Sequence, residues 1–172
     1  MNSRIQLIVG TGVILLAALS RLMPHPMNFS PITAIALFGG MYFDKRFAPV
    51  LPLLAMLISD YVIGFYDGME WVYASFLISV GTGMWLRSRQ SAPLVVAATI
   101  VNSVLFFIIT NFGVWVSGML YPKTLTGLVE CYIMALPFFR NTVAGDLFYV
   151  AVMFGGYELA MKYLPKVETT KV

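Results

Sequence analysis

Long apolar runs alternate with short polar interruptions along this chain, and the runs are of membrane-crossing length. Six stand out: Ile5 to Met23, Pro31 to Phe43, Phe47 to Tyr66, Glu70 to Leu86, Pro93 to Val116 and Thr142 to Leu164. A helix needs about 20 predominantly apolar residues to cross the hydrocarbon core, and most of these runs supply that. The second is shorter and would cross with tilt or local thinning, with Phe29 and Tyr42 as interfacial anchors. A further stretch, Leu125 to Phe139, is apolar but short and mixed, and Pro137 breaks it ahead of Arg140. It predicts a re-entrant or interfacial helix leaning on the bundle before the last span. Gly39-Gly40, Gly81-Thr82-Gly83 and Gly155-Gly156 bring small residues to places where helices can pack closely. The pattern predicts a single all-α integral membrane domain over residues 1–172, a bundle of six transmembrane helices with no soluble domain and no long repeat.

Composition supports that setting. With 59% hydrophobic and 11% charged residues, a water-facing surface cannot cover the apolar side chains. The net charge of +3 is small and scattered, so it informs topology and argues against nucleic acid as a partner. Of the eleven basic residues, eight fall on one side when the N-terminus is cytoplasmic: Arg4, Lys45, Arg46, Arg87, Arg89, Lys162, Lys166 and Lys171. Arg21, Lys123 and Arg140 remain outside, which favours both termini inside. The first run resembles a signal peptide, with Arg4 before it and Ala17-Ala18-Leu19-Ser20 near its end. Arg21 and a cluster of prolines follow at once, so an uncleaved first helix is expected. The lone Cys131 excludes an internal disulfide and reads as a small packing residue.

This topology gathers the uncommon polar groups at the outer face. The segment Arg21-Leu-Met-Pro-His-Pro-Met-Asn-Phe-Ser-Pro31 holds the only histidine between two prolines. It is either a stiff turn whose imidazole faces water, or a preordered loop holding His25 and Asn28 over a cavity. A neutral His25 could donate and accept hydrogen bonds or ligate a metal. A charge in the apolar zone costs at least about 2.5 kcal/mol, so Asp60 and Asp146 are expected to face the bundle interior, a partner or water. Ion pairs from Asp60 to Arg140 or from Arg21 to Asp146 would explain them without a ligand. Asn111 near the end of the fifth run either bonds a neighbouring helix or points into a ligand site, while Trp115 and Tyr121 suit an aromatic belt. Asn141 or Thr142 would cap the last helix, aiming its N-terminus outward beside Arg140 toward an anionic or carbonyl-bearing ligand.

Phosphate loops, paired-histidine zinc motifs and nucleophile elbows are missing from the sequence. An intramembrane enzyme using His25 and Asp60 as acid and base would lack a nucleophile or metal to complete the set. The chain therefore reads as a non-enzymatic binding subunit that something else drives.

The segments RLMPHPMNFSPITAIALFGGMYF, PLLAMLISDYVIGFY, ITNFGVW, YPKT and LPFFRNTVAGD resemble an uncharacterised family of small bacterial membrane proteins, which would place the chain in the cytoplasmic (inner) membrane as a multi-pass protein. More distantly, the six-helix plan, ALFGG in the second helix and SD in the third resemble the substrate-binding S-components of energy-coupling factor vitamin transporters, cobalamin-type branch. That resemblance implies an outward-facing vitamin pocket on a subunit that docks on a transmembrane coupling protein and a pair of ATPases. It also implies a histidine after the first helix, an aspartate late in the third and an arginine starting the last, places that His25, Asp60 and Arg140 fill. Two departures stand out. No cysteine lies between Asp60 and Leu86, where some cobalamin-type members carry a cobalt ligand. The small-residue docking surface is broken in the first helix by Ala18 and Leu22, with Ala36 and Gly40 of the second as the substitute.

The expectation is a substrate-binding subunit of a vitamin or cofactor uptake system, with no permanently bound cofactor and with cobalamin or a related corrinoid as preferred ligand. Phe29, Tyr66, Trp71 and Tyr73 would supply aromatic contact, and His25, Asn28, Asp60, Asn111, Arg140 and Asn141 would fix orientation, His25 ligating cobalt if the ligand is a corrinoid. The alternative is a structural or assembly membrane protein whose polar residues only pair across helices.

Overall fold

A computed structural model describes residues 3–163, which form six helices and no strand: α1 Ser3–Ser20, α2 Ile32–Tyr42, α3 Val50–Ile63, α4 Met69–Leu86, α5 Ala92–Ser117 and α6 Leu125–Tyr163. α2 is the hub. It packs against all five other helices, and every residue from Ile32 to Met41 is buried. Around it α3 neighbours α1, α1 neighbours α6, α6 neighbours α5 and α5 neighbours α4. Such a position demands a sequence that is apolar on every face and small where backbones meet, and ITAIALFGGMY is that sequence. Gly40 and Gly83 let α2 and α4 approach to backbone contact. A Cβ at Gly40 would lie 2.9 Å from the Gly83 Cα and would strike the Val80 carbonyl. At the other side of α2, Phe38 sits among Tyr42, Phe154 and Tyr157, with ring centroids at 4.7, 5.4 and 5.1 Å. The C-terminal carbonyls of α2 are satisfied from α4's end, where the Arg87 guanidinium donates to the carbonyls of Gly40, at 3.0 Å, and Phe43.

These lengths do not support the expected six spans. Among the described residues, α5, with 26 residues, and α6, with 39, are the two helices long and apolar enough to cross a membrane. α2 and α3 have 11 and 14 residues, roughly 16 and 21 Å at 1.5 Å per residue, short of a core of about 30 Å. The predicted span from Phe47 to Tyr66 shrinks because its first residues form a turn before Pro49 and because the chain leaves the helix at Gly64. α2 reaches its burial inside protein rather than lipid, so it needs no span length. Its burial also withdraws Ala36 and Gly40 as an outer docking surface.

The separate short helix predicted over Leu125 to Phe139 is likewise corrected. α6 runs unbroken through Pro137, which forfeits one backbone hydrogen bond without ending the helix. Asn141 and Thr142 consequently lie inside α6 and do not cap it, and their backbone amides are spent within the helix. Gly118, with φ 69°, ends α5 in the left-handed region and turns the chain into the α5–α6 hairpin, where the Trp115 indole donates to the Pro122 carbonyl at 3.1 Å. Leu164, Lys166 and Lys171 lie outside the described residues. Large apolar side chains point away from the hub on the outer helices, among them Leu16 on α1, Val62 on α3, Leu77 on α4, Val101 on α5 and Leu159 on α6.

Candidate functional site

One end of the bundle holds a cavity of about 230 Å³, lined by Asn28, Ser30, Ile32, Thr33, Tyr66, Val72, Phe106, Thr142 and Asp146. It lies where the segment between α1 and α2 crosses the side of α6. That segment is fixed from several directions. The Phe29 amide donates to the Pro26 carbonyl at 3.0 Å, and the Asn141 side-chain amide donates to the Met27 carbonyl at 3.0 Å. Phe29 rests its backbone on Gly145, where a Cβ would come within 3.0 Å of the Phe29 Cα, and its ring packs on Phe148 and Tyr149. Between these anchors Asn28 adopts φ 61°, a left-handed conformation that asparagine tolerates better than most residues. The prolines and the two asparagines together deliver Asn28 and Ser30 to the cavity wall.

Asp146 is the acidic residue in that wall, and it is only 2% exposed. Its carboxyl accepts from the Ser103 hydroxyl at 2.6 Å and from the Thr33 hydroxyl. The serine has one proton, and the Thr99 carbonyl, 3.0 Å away, competes for it. Both partners are neutral hydroxyls, so Asp146, unlike Asp60, has no counter-ion among the described residues.

Asp60 is fully buried and its needs are met. Arg21, with an 8% exposed side chain, forms the one ion pair among the described residues, donating to Asp60 Oδ1 at 2.7 Å. The Tyr73 hydroxyl donates to Oδ2 at 2.8 Å, and the same guanidinium reaches the Ser59 hydroxyl and the Met56 sulfur. The pairings read from sequence, Asp60 with Arg140 and Arg21 with Asp146, are therefore replaced by Arg21 with Asp60. This network ties α3 to α4 across a gap where their backbones do not meet. Tyr66 lies between the network and the cavity. Burial raises the pKa of its phenol, the Asp60 carboxylate raises it further and Arg21 opposes, so the phenol stays a neutral hydrogen-bonding group.

Of the residues singled out by sequence, Asn28 and Tyr66 line the cavity, while Phe29 and Asn141 hold the segment that bounds it. Asp60 and Tyr73 serve the ion-pair network. Trp71 packs against Gly113 and Phe112, and the Asn111 side chain donates to the Phe107 carbonyl of its own helix at 2.8 Å. His25 is exposed, its Nδ1 3.0 Å from the neighbouring Pro26 carbonyl, and Arg140 is exposed on α6. His25, Trp71, Asn111 and Arg140 do not border the cavity. Among the described residues no group of three or more His, Cys, Asp or Glu side chains is placed to hold a metal ion. Ser30, Thr33, Thr142 and Asp146 complete the polar lining. Of these, Asp146 carried a sequence signal as a charge within an apolar run and Thr142 as a candidate helix cap, whereas Ser30 and Thr33 carried none.

Among known proteins the chain matches a family model described as "Family of unknown function (DUF6580)" over residues 1–167. No curated protein and no solved structure matches the chain.

Proposed function

The chain belongs to that family of unknown function, and from its own geometry we propose that it is a membrane-embedded binding subunit for a small vitamin-like ligand, working in uptake in the manner of an S-component. The observation that carries the reading is the cavity itself, a hollow of about 230 Å³ with a buried carboxyl that has no counter-ion in its wall and a braced segment along its edge. A buried acid without a counter-ion is costly in an apolar protein interior, and a ligand that complements it gains both affinity and orientation. The apolar side chains on the outward faces of α1, α3, α4, α5 and α6 support placement in a bilayer, with the two long helices crossing it.

Volume narrows the ligand. Sites for drug-sized molecules run from about 300 Å³ upward, and a corrin ring with its nucleotide tail far exceeds the present cavity. The proposal is accordingly a ligand smaller than a corrinoid, bound and released rather than chemically changed, and it gives His25 no cobalt to ligate. A transmembrane coupling protein and an ATPase pair would supply the energy. A second reading, an assembly protein without a ligand, draws on the Arg21–Asp60–Tyr73 network, whose groups satisfy one another.

The test is retention. The protein is purified in detergent, extracted, and its small molecules identified by mass spectrometry beside a Val72→Trp variant that fills the cavity. A compound held by the wild type and absent from an equally helical variant is the expected result. Identical extracts from the two proteins would favour the assembly reading.

A further inference from the structure

Resting on that binding reading, we infer that the cavity takes a small organic cation, a ligand whose protonated amine or amidine nitrogen pairs with Asp146. The carboxyl is 2% exposed and no guanidinium or ammonium reaches it, because the one ion pair among the described residues engages Arg21 with Asp60. Hydroxyls are its only partners, from Ser103 at 2.6 Å and from Thr33. A neutral donor would add a hydrogen bond but no counter-charge, and an anionic ligand would add repulsion. A nitrogen cation supplies what is missing, since it brings both opposite charge and several N–H donors to one carboxylate.

The rest of the lining suits such a ligand. Ser30 and Thr142 add hydroxyl oxygens that can accept from further N–H groups, and the rings of Tyr66 and Phe106 give flat apolar surface and the negative π faces that cations favour. The volume of about 230 Å³ accommodates one ring and a short amine-bearing arm.

Benzylamine, protonated at neutral pH, is the probe, with benzyl alcohol as the neutral and benzoate as the anionic molecule of similar shape. Binding to the full chain in detergent is followed by calorimetry at low ionic strength. Benzylamine should bind best, and Asp146→Asn should weaken it by at least about ten-fold while changing benzyl alcohol little. Val72→Trp, which leaves the carboxyl in place, should abolish benzylamine binding; this variant and the wild-type ranking of the three probes serve if Asp146→Asn does not fold. Equal binding of amine and alcohol, or amine binding indifferent to Asp146→Asn, would overturn the inference. So would sodium or potassium chloride alone giving the same Asp146-dependent heat, which would assign the site to an inorganic cation. Val72-dependent binding of the alcohol or benzoate but not the amine would keep the binding reading and discard the cation. Failure of every probe, with Val72→Trp also leaving the extracts unchanged, would remove both.

Discussion

Removing the charges of the Arg21–Asp60 pair singly and together tests whether that network is structural. Asp60 is fully buried and Arg21 nearly so, hence each single change strands its partner in a medium that penalises charge. Breaking such a pair costs about 3 to 5 kcal/mol. The structure ranks the two changes. After Arg21→Met, Asp60 keeps the Tyr73 hydroxyl as a donor at 2.8 Å, which places this variant near the low end, about 3 kcal/mol. After Asp60→Leu, the guanidinium keeps only the Ser59 hydroxyl and the Met56 sulfur, neither charged, which places that variant higher, at about 4 kcal/mol. The double variant replaces an ion pair by apolar side chains and should return to within about 1 to 2 kcal/mol of wild type, giving a coupling of about 5 to 6 kcal/mol, above the usual range of about 0.5 to 3 kcal/mol. Thermal unfolding in detergent by circular dichroism measures all four proteins. Additive losses would refute the pairing, and a stable double variant that loses retained ligand would move Asp60 into the binding site.

Two further outcomes follow from the packing and the topology. Gly83→Ala should destabilise by about 3 kcal/mol or more, because its Cβ meets the Leu37 carbonyl and lies 3.0 Å from the Gly40 Cα, whereas Gly81→Ala, two residues away with nothing within 4 Å, should be neutral or slightly stabilising; equal Tm values would contradict the close α2–α4 crossing. In a Cys131→Ser background, a cysteine at exposed Asp67 should react with an impermeant maleimide from outside intact cells and one at exposed Ser88 only after permeabilisation, and the reverse pattern would turn the cavity toward the cytoplasm.

Much of the helix plan was legible because apolar length and turn residues act locally. Glu70 to Leu86 and Pro93 to Val116 match α4 and α5 within a residue. What failed depends on the neighbours. The sequence of α2 gives no sign of its depth, since a helix that is apolar on all faces reads the same in lipid and in protein. Pro137 reads as a break, yet packing on α5 carries the helix through it, with Tyr132 donating to the Ile108 carbonyl before the proline and Phe107 stacked on Phe139 after it. Asn28 and Tyr66 were recognisable as candidates by type and place. Ser103 and Thr33, which serve Asp146, were not, because they lie far away along the chain and resemble any helical hydroxyl. The partner of Asp60 was equally hidden, for Arg21 and Arg140 were both available at the same face.

The central position of α2 also sets the order in which the molecule can be made. At roughly 16 Å it is too short to span a bilayer alone, and it leaves the ribosome before α4, α5 and α6 exist to enclose it. Its Phe38 waits for Phe154 and Tyr157, more than a hundred residues later in synthesis. Until then α2 must be sheltered by α1, α3 or the insertion machinery, and the bundle closes only when α6 arrives. Nascent chains halted before Phe154 should therefore be prone to degradation even though all but the last helix has been made, because the rings that close over Phe38 belong to the C-terminal half of α6.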